Sequence, residues 1–354
     1  MTKPTIIFLL ASLMLDSCLR DPGPITGDVT DSFLTGPGVF ILNEGNFRSG
    51  NGSLSFYSYD SVKLFNQIFL SINDRPLGDV PYSMNILGDK AFIIVNNSGK
   101  IEVVNRNDIK SVETINGLIS PRYISFVKSD KAYVTSLYSD SITILDLPAN
   151  QISGYINIKQ PSEYIVSTLD KAYVAHWAGG NKIIVINTAT NQVIDSVQVG
   201  KEPESMVLDK NSMLWVLCNG GWARNNYAEL FQINTLTNSI ENKFIFPAKT
   251  DSPTCLQIDG KGEIMYYLEK GVRRMSISAS GLPADTFISE AGRLFYKVGV
   301  NPENGEIFIT DVVDYQQKGY VLRYRNDGTL VSVMLADIIP GGLCFKVNPD
   351  YQTQ

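Results

Sequence analysis

Short runs of residues that alternate between apolar and polar positions fill the middle of the chain. From Pro121 onward, four such runs follow one another, at Tyr123–Val127, Lys131–Leu137, Ser141–Asp146 and Gln151–Ile158. The runs are rich in β-branched and aromatic residues, and Ser, Asp, Asn and Pro separate them. This pattern predicts four antiparallel strands joined by tight turns. Leucine-rich and helical repeats are disfavoured because they require helical spacing of the apolar positions.

The four-strand pattern recurs with a period near forty residues. Lys131–Val134 (KAYV) returns as Lys171–Val174, forty positions later. Complete copies begin at Pro81, Pro121, Pro161, Pro203, Pro253 and Phe295. Four antiparallel strands in about forty residues make one blade of a β-propeller.

The two ends of the chain supply a seventh copy. Gly38–Asn43, Gly52–Tyr57 and Val62–Ile68 match the second, third and fourth strands of a blade, whereas the matching first strand is Pro340–Phe345. We therefore predict an all-β fold, a seven-bladed β-propeller of four-stranded antiparallel blades over residues 37–348. A C-terminal inner strand joins the N-terminal strands and closes the ring, which removes free sheet edges.

Residues 1–18 predict a signal peptide with a lipobox-like end. The apolar run Ile6–Leu15 is too short to span a membrane, and the small residue Ser17 precedes Cys18, the predicted site of lipidation. A plain signal peptide with a chance cysteine is the alternative. Residues 19–36, which are rich in Pro and Gly, predict a flexible tether, and residues 349–354 a C-terminal tail.

The net charge and the cysteine spacing disfavour two classes of protein, nucleic-acid-binding proteins and zinc proteins. The formal net charge of −6 disfavours nucleic-acid binding, which needs a basic surface. We expect membrane attachment through the lipid anchor alone, a monomer and no cofactor. Cys218, Cys255 and Cys344 fit no zinc motif and are predicted to be buried free thiols.

Propeller geometry indicates where a ligand would bind. The turns before the inner strands and the loops between the second and third strands emerge on one face around the central channel, called here the loop face. The turns carry Tyr82, Arg122, Tyr123, Glu163, Tyr164, Glu204, Thr254 and Tyr296. The candidate ligand-binding residues lie on the loops: Asn46, Phe47, Asn97, Tyr138, His176, Trp177, Trp222, Arg224, Asn225, Asn226, Tyr227 and Tyr315.

These loop residues suit a large, mostly neutral and partly planar ligand. Trp177, Trp222 and Tyr227 are expected to stack on it, and Arg224 with nearby amides to donate hydrogen bonds. The alternative is that the Asn and Gly residues serve tight turns and the aromatic residues plug the channel mouth.

Catalysis has little support in the sequence. His176 is the single histidine, which excludes His-rich metal sites, and no nucleophile elbow or phosphate-binding glycine motif is present. A glycosidase-like pair of carboxylates near the loop face remains an open alternative. The carboxylates there are those of Glu44, Glu163, Glu204, Asp311 and Asp314. We expect a protein that is not an enzyme.

Two segments resemble a known repeat. KAYVTSLYSDSITILD and KIIVINTATNQVIDSVQVGKEPESMVLD are similar to the YVTN-type, or YncE-like, propeller repeat, and the resemblance covers residues 38–346. The lipobox-like start and the opening GVFILNEGNF resemble surface propeller lipoproteins of Bacteroidetes, including DUF5074-like cell-surface proteins.

That resemblance implies a function and a location. Some of those lipoproteins bind corrinoids and work with a TonB-dependent transporter, so capture of a vitamin B12-like ligand for uptake is the expectation. A scaffold propeller in an outer-membrane uptake complex and a lactonase-like hydrolase are the alternatives. The implied location is the outer membrane, exposed on the cell surface, with its periplasmic side as the alternative.

Overall fold

The computed structural model describes residues 32–168 and 170–348, and its strands form seven antiparallel sheets. Blade 1 contains β1 (Gly38–Asn43), β2 (Ser53–Ser58), β3 (Lys63–Phe65) and the C-terminal β27 (Pro340–Lys346). Blade 2 contains β4 (Pro81–Leu87), β5 (Lys90–Val95), β6 (Lys100–Asn105) and β7 (Ser111–Asn116). Blade 3 contains β8 (Pro121–Lys128), β9 (Lys131–Ser136), β10 (Ser141–Asp146) and β11 (Gln151–Asn157).

The remaining blades follow in chain order. Blade 4 contains β12 (Ile165–Ser167), β13 (Lys171–His176), β14 (Lys182–Asn187) and β15 (Gln192–Gln198), and blade 5 contains β16 (Pro203–Leu208), β17 (Met213–Cys218), β18 (Glu229–Asn234) and β19 (Ile240–Ile245). Blade 6 contains β20 (Thr254–Ile258), β21 (Ile264–Leu268) and β22 (Val272–Ser276), and blade 7 contains β23 (Phe295–Val300), β24 (Ile307–Asp311), β25 (Lys318–Tyr324) and β26 (Leu330–Ile338). The helices are α1 (Ser32–Thr35) and α2 (Ile68–Asn73).

The predicted seven-bladed propeller is confirmed, including its closure. β27 pairs antiparallel with β1, with Gly38 opposite Lys346 and Phe40 opposite Cys344. β27 also contacts the inner strands β4 and β23, so the ring of inner strands is continuous across the junction of the two chain ends.

Two outer strands differ from the prediction. In blade 1 the outer strand spans only Lys63–Phe65, and the rest of the predicted run Val62–Ile68 leads into α2. In blade 6 the outer position holds a single bridge between Val272 and Ile288. Gly281 and Pro283 interrupt the alternating pattern before that bridge, and proline cannot donate to a sheet ladder.

Residues 33–36, which the sequence assigned to the tether, pack against blade 1. Leu34 is fully buried, and the Phe33 ring stacks on Phe65 with centroids 4.0 Å apart. The Lys346 ammonium donates hydrogen bonds to the carbonyl oxygens of Leu34 and Thr35. The predicted signal peptide, Cys18 and the C-terminal tail lie outside the described residues.

A repeated hydrogen-bond cluster joins neighbouring blades on the side opposite the loop face. Lys131 Nζ of blade 3 donates to the Thr188 carbonyl at 2.5 Å and to Asn191 Oδ1 at 2.7 Å, both in blade 4. The Tyr133 hydroxyl donates to the same Asn191 oxygen at 2.6 Å. We call this cluster the latch.

The latch recurs one blade further on. Lys171 and Tyr173 of blade 4 make equivalent bonds to the Thr235 carbonyl and to Asn238 Oδ1 of blade 5. Asn191 and Asn238 have φ values of 58° and 60°, a left-handed conformation that asparagine tolerates. The repeated KAYV segments and the asparagines of the outer turns are therefore the two halves of one contact.

The three predicted free cysteines form no disulfide in the structure. Cys218, Cys255 and Cys344 are free, and the first two are buried. Neither described helix has the length and apolar character that a membrane span requires.

A buried carboxylate fixes the connection between blades 1 and 2. The Glu102 side chain is fully buried and accepts hydrogen bonds from Arg75 at 2.5 Å, Lys100 at 2.9 Å and Ser111 at 2.6 Å. Burial acts to raise the pKa of Glu102, but these hydrogen bonds outweigh it and hold the pKa below its usual value. The ionised carboxylate is therefore the form that the fold stabilises.

Removing the Tyr133 hydroxyl tests the latch. Tyr133→Phe is expected to lower the free energy of unfolding by about 1 kcal/mol, because one partly buried hydrogen bond to Asn191 is lost while the ring still packs. Urea unfolding measures this. Tyr155→Phe, at a tyrosine that is 63% exposed, is the control and should change stability little. Equal effects of the two substitutions would contradict a role for the latch.

Glu102→Gln should destabilise the protein by about 2 kcal/mol near neutral pH, because four charged or polar donors, the three named above and Thr114, lose an anionic acceptor. The value is moderate because the Arg75 side chain is 39% exposed and keeps access to water. The folded-state pKa lies below the unfolded one, so this contribution is present above the unfolded pKa and is lost as pH falls through the folded pKa. Wild type and variant should converge in acid, and a constant difference across pH would refute the assignment.

Candidate functional site

Most of the inner strands begin with a β-bulge on the loop-face side, whereas β12 pairs with β13 without one. The strand registers shift between Pro81 and Ser83, Pro121 and Ile124, Pro203 and Ser205, Thr254 and Gln257, and Phe295 and Lys297. In a regular strand, successive side chains point to opposite faces, whereas a bulge sets two residues opposite one. Successive residues therefore line the same channel cavity, as in Tyr82 with Ser83 and Glu204 with Ser205.

An ion pair with a tyrosine joins three blades at the channel mouth. Arg122 of blade 3 forms a bidentate pair with Glu163 of blade 4, with Nε 2.7 Å and Nη2 2.8 Å from the two carboxylate oxygens. The Tyr82 hydroxyl of blade 2 donates to the same carboxylate at 2.8 Å and accepts from Arg122 at 2.5 Å. The Arg122 and Glu163 side chains are only 11% and 5% exposed. Such a bidentate pair is strong and fixes the orientation of both groups.

Tyrosine rings continue around the channel. The ring centroids of Tyr82 and Tyr123 are 5.4 Å apart, and those of Tyr123 and Tyr164 are 4.5 Å apart. Burial raises the pKa of Tyr164 to about 12 and that of Tyr123 well above its usual value, so both hydroxyls remain protonated near neutral pH. They are available as neutral hydrogen-bonding groups.

Glu44 completes this layer from blade 1. The Tyr296 hydroxyl donates to Glu44 Oε1 at 3.0 Å, and the Tyr296 ring contacts Tyr315 edge-on at a centroid distance of 5.6 Å. Burial raises the pKa of Glu44 even though Lys297 acts to lower it. A Cβ on Gly341 would lie 2.5 Å from the Glu44 carboxylate, so a larger residue there would displace that carboxylate.

Beneath these residues lies a cavity of about 150 Å³. Its walls include the tyrosines Tyr82, Tyr123 and Tyr164, the charged residues Glu204 and Lys297, and Gln257 and Cys255. Burial raises the pKa of the Cys255 thiol, which keeps it protonated and unreactive near neutral pH. Among the described residues, no group of three or more His, Cys, Asp or Glu side chains is arranged to hold a metal ion.

The loop face carries nearly all of the exposed aromatic side chains in the described ranges. Six are exposed, and five of these lie on loops between second and third strands: Phe47, Tyr138, Trp222, Tyr227 and Tyr315. Trp222 is 93% exposed and Tyr138 is 77% exposed. The sixth, Tyr155, lies on the outer strand β11. The structure thus concentrates exposed aromatic surface on one face.

The long loop between β17 and β18 borders a groove of about 490 Å³ between blades 4 and 5. Asn225, Asn226 and Tyr227 line it, with Lys201 and Lys249. The Lys249 ammonium lies 5.5 Å from the centre of the Tyr227 ring. Arg224 points elsewhere and donates to the Thr250 carbonyl at 3.2 Å.

The other candidate residues are spread around the face. Asn46 Nδ2 donates to the Tyr315 carbonyl at 3.4 Å, which joins the loops of blades 1 and 7. Asn97, after β5, donates to the carboxylate of Asp79, before β4, and so joins two turns of blade 2. These amides therefore have local structural partners.

His176, the last residue of β13, and Trp177, in the loop that follows, are partly buried. Burial lowers the pKa of His176, and the nearby Lys182 and Lys201 lower it further, so the imidazole is neutral near pH 7. Trp177 Nε1 is buried and has no hydrogen-bond partner in the described part of the chain.

Sequence reasoning missed Lys297. The copy that begins at Phe295 lacks the opening proline, so the position of its bulge was not evident. Aligning Phe295 with Pro81 places Lys297 at the position of Ser83, which lines the channel. That alignment is the signal that identifies it.

Glu163→Gln is expected to lower the free energy of unfolding by about 3 kcal/mol, because it leaves the buried Arg122 guanidinium without its counter-ion. Thermal or urea unfolding measures the change. Glu229→Gln is the control, because Glu229 pairs with the 46% exposed Lys243 and should cost about 1 kcal/mol or less. The double variant Arg122→Met with Glu163→Gln should recover part of the loss. A double variant less stable than Glu163→Gln would contradict the counter-ion role.

Solved structures show the same fold at low sequence identity. A quinonprotein alcohol dehydrogenase-like protein of Bacteroides thetaiotaomicron has a TM-score of 0.68 and 15% identity, covering 88% of this chain and 78% of that one. A Lactobacillus plantarum protein has a TM-score of 0.67 and 11% identity, covering 88% and 100%. A candidate 6-phosphogluconolactonase of Bacteroides fragilis has a TM-score of 0.64 and 11% identity, covering 91% and 99%. At such identities the similarity shows the fold alone.

The family relationship comes from the sequence. No curated protein matches the chain. The model of a domain of unknown function, DUF5074, matches residues 37–335, from just before β1 into β26. Because this match spans most of the chain, the protein belongs to the DUF5074 family.

Proposed function

We propose that this chain is a non-enzymatic lipoprotein of the cell envelope that binds a ligand across its loop face. The observation that carries the proposal is the concentration of exposed aromatic side chains on that face. Tryptophan and tyrosine supply large contact areas at low cost in conformational entropy, which is why they dominate binding surfaces. The only exposed aromatic residue elsewhere in the described ranges, Tyr155, lies on an outer strand.

The channel geometry supports binding across the face. The cavity in the channel is about 150 Å³, whereas pockets for drug-sized ligands are about 300–1,000 Å³. The Arg122–Glu163 pair and the tyrosine rings fill the mouth above it. A large ligand therefore lies over the mouth, where Trp222, Tyr227 and the groove between blades 4 and 5 contact it.

A corrinoid is the first ligand to test. Its broad, partly planar macrocycle with peripheral amides matches exposed aromatic rings interspersed with Asn225, Asn226 and Arg224. In this proposal, Cys18 carries the lipid anchor and the protein delivers the ligand to a TonB-dependent transporter in the outer membrane.

Cyanocobalamin titration tests the ligand. Calorimetry with the wild-type protein should give saturable binding, and Trp222→Ala should raise Kd about tenfold, because one stacking contact is worth about 1.4 kcal/mol. Tyr155→Ala is the matched control, since it removes an exposed aromatic side chain from outside the loop face, and it should leave Kd unchanged. Absence of binding at high micromolar cyanocobalamin would refute the corrinoid proposal.

A protein partner is the second candidate, because the same residue types also form the energetic centres of protein interfaces. In that case cyanocobalamin does not bind, while Trp222→Ala weakens association with the purified transporter. This outcome keeps the loop face as the binding surface and changes only its occupant.

A further inference from the structure

Lys297 brings an unpaired positive charge into the channel. Its ammonium lies 5.2 Å from the centre of the Tyr296 ring and 5.9 Å from that of Tyr82. Within residues 32–168 and 170–348, no carboxylate lies at ion-pair distance from it. The rings attract the charge but cannot accept all three of its hydrogen bonds. Lys297 therefore presents unused donors to the cavity that it lines.

Glu204 brings the opposite charge to the same cavity. One of its carboxylate oxygens accepts the Cys255 amide at 2.8 Å. No Lys or Arg side chain of the described chain lies at ion-pair distance from this carboxylate. Glu204 thus differs from Glu163, whose two oxygens are both bound by Arg122.

Lys297 and Glu204 are both partly buried. A partly buried charge is solvated less well than a free one, which favours a bound group of opposite charge beside it. The nearby Glu44 is already engaged by the Tyr296 hydroxyl, and burial raises its pKa. Lys297 and Glu204 attract each other across the cavity without forming an ion pair, so a molecule that carries both signs of charge fits between them.

The size of the cavity limits that molecule. An apolar protein cavity of about 150 Å³ holds benzene, so the channel accommodates about six non-hydrogen atoms. Glycine and alanine are within this limit, whereas phenylalanine exceeds it. The hydroxyl of Tyr123 and the amide of Gln257 supply further hydrogen-bonding groups.

We propose that the channel cavity is a binding site for a small zwitterion of the size of glycine or alanine. The ligand carboxylate pairs with Lys297, and the ligand ammonium pairs with Glu204. This site is separate from the loop face and does not depend on the identity of the ligand bound there.

A ligand series on the wild-type protein tests the proposal without any substitution. Glycine and L-alanine are compared by calorimetry and thermal shift with acetate and methylammonium, each of which carries one of the two charges. L-Alanine should bind saturably and at least about tenfold more tightly than either half-ligand, and L-phenylalanine should not bind. Equal affinity for acetate would indicate a simple anion site and overturn the proposal, as would the absence of L-alanine binding.

Two substitutions locate the site. Lys297→Met and Glu204→Gln should each weaken L-alanine binding at least about tenfold. Glu204→Gln keeps an oxygen that accepts the Cys255 amide, so it tests the charge in a folded protein. The matched controls are Lys210→Met and Glu263→Gln, which remove an exposed ion pair from the surface and should leave the affinity unchanged.

The loop-face variant separates this proposal from the proposed function. Trp222→Ala should leave L-alanine affinity unchanged, because Trp222 is 93% exposed and does not line the cavity. Unchanged L-alanine affinity in both Lys297→Met and Glu204→Gln would refute the channel site, whatever the result with cyanocobalamin.

Discussion

The pairing of β1 with β27 is the constraint on which the rest of the structure depends. Residues about three hundred positions apart must meet in one sheet, and closing a loop of that length costs on the order of 5 kcal/mol of chain entropy. The ladder from Gly38 opposite Lys346 onward, together with buried apolar residues such as Phe40, offsets this cost. Without this seam, the inner strands would not enclose a channel.

The two sides of the propeller differ in the contacts that they make. On the side opposite the loop face, the latches of Lys131 and Tyr133 hold neighbouring blades at a fixed angle through Asn191. On the loop-face side, bulges release the strands from strict alternation and turn charged and aromatic residues toward the axis.

The sequence was sufficient for the fold because each blade follows the same local rules. Alternation, turn residues and the KAYV repeat predict strands within a blade, and the unmatched strands at the ends predict closure. Outer strands are harder to predict because one face of them contacts solvent, so the run Val62–Ile68 becomes a short strand and a helix. The channel site depends on distances between blades: neither Arg122 with Glu163 nor Lys297 with Glu204 is close in sequence, and the bulge register decides which side chains meet.

The bulges also determine how the channel can change through mutation. Each inner strand, with the turn before it, supplies two to four residues to the channel cavity. Its ladder hydrogen bonds with the second strand lie within its own blade. A substitution at Lys297 therefore alters the chemistry of the axis without removing a ladder hydrogen bond, whereas one at Glu204 also removes the acceptor of the Cys255 amide in blade 6. Proteins with this architecture can change the channel residues of one blade at a time. The number of possible channel linings is therefore the product of the number of choices in each blade. Drift in the repeat pattern is thus compatible with a fixed fold and a changing ligand.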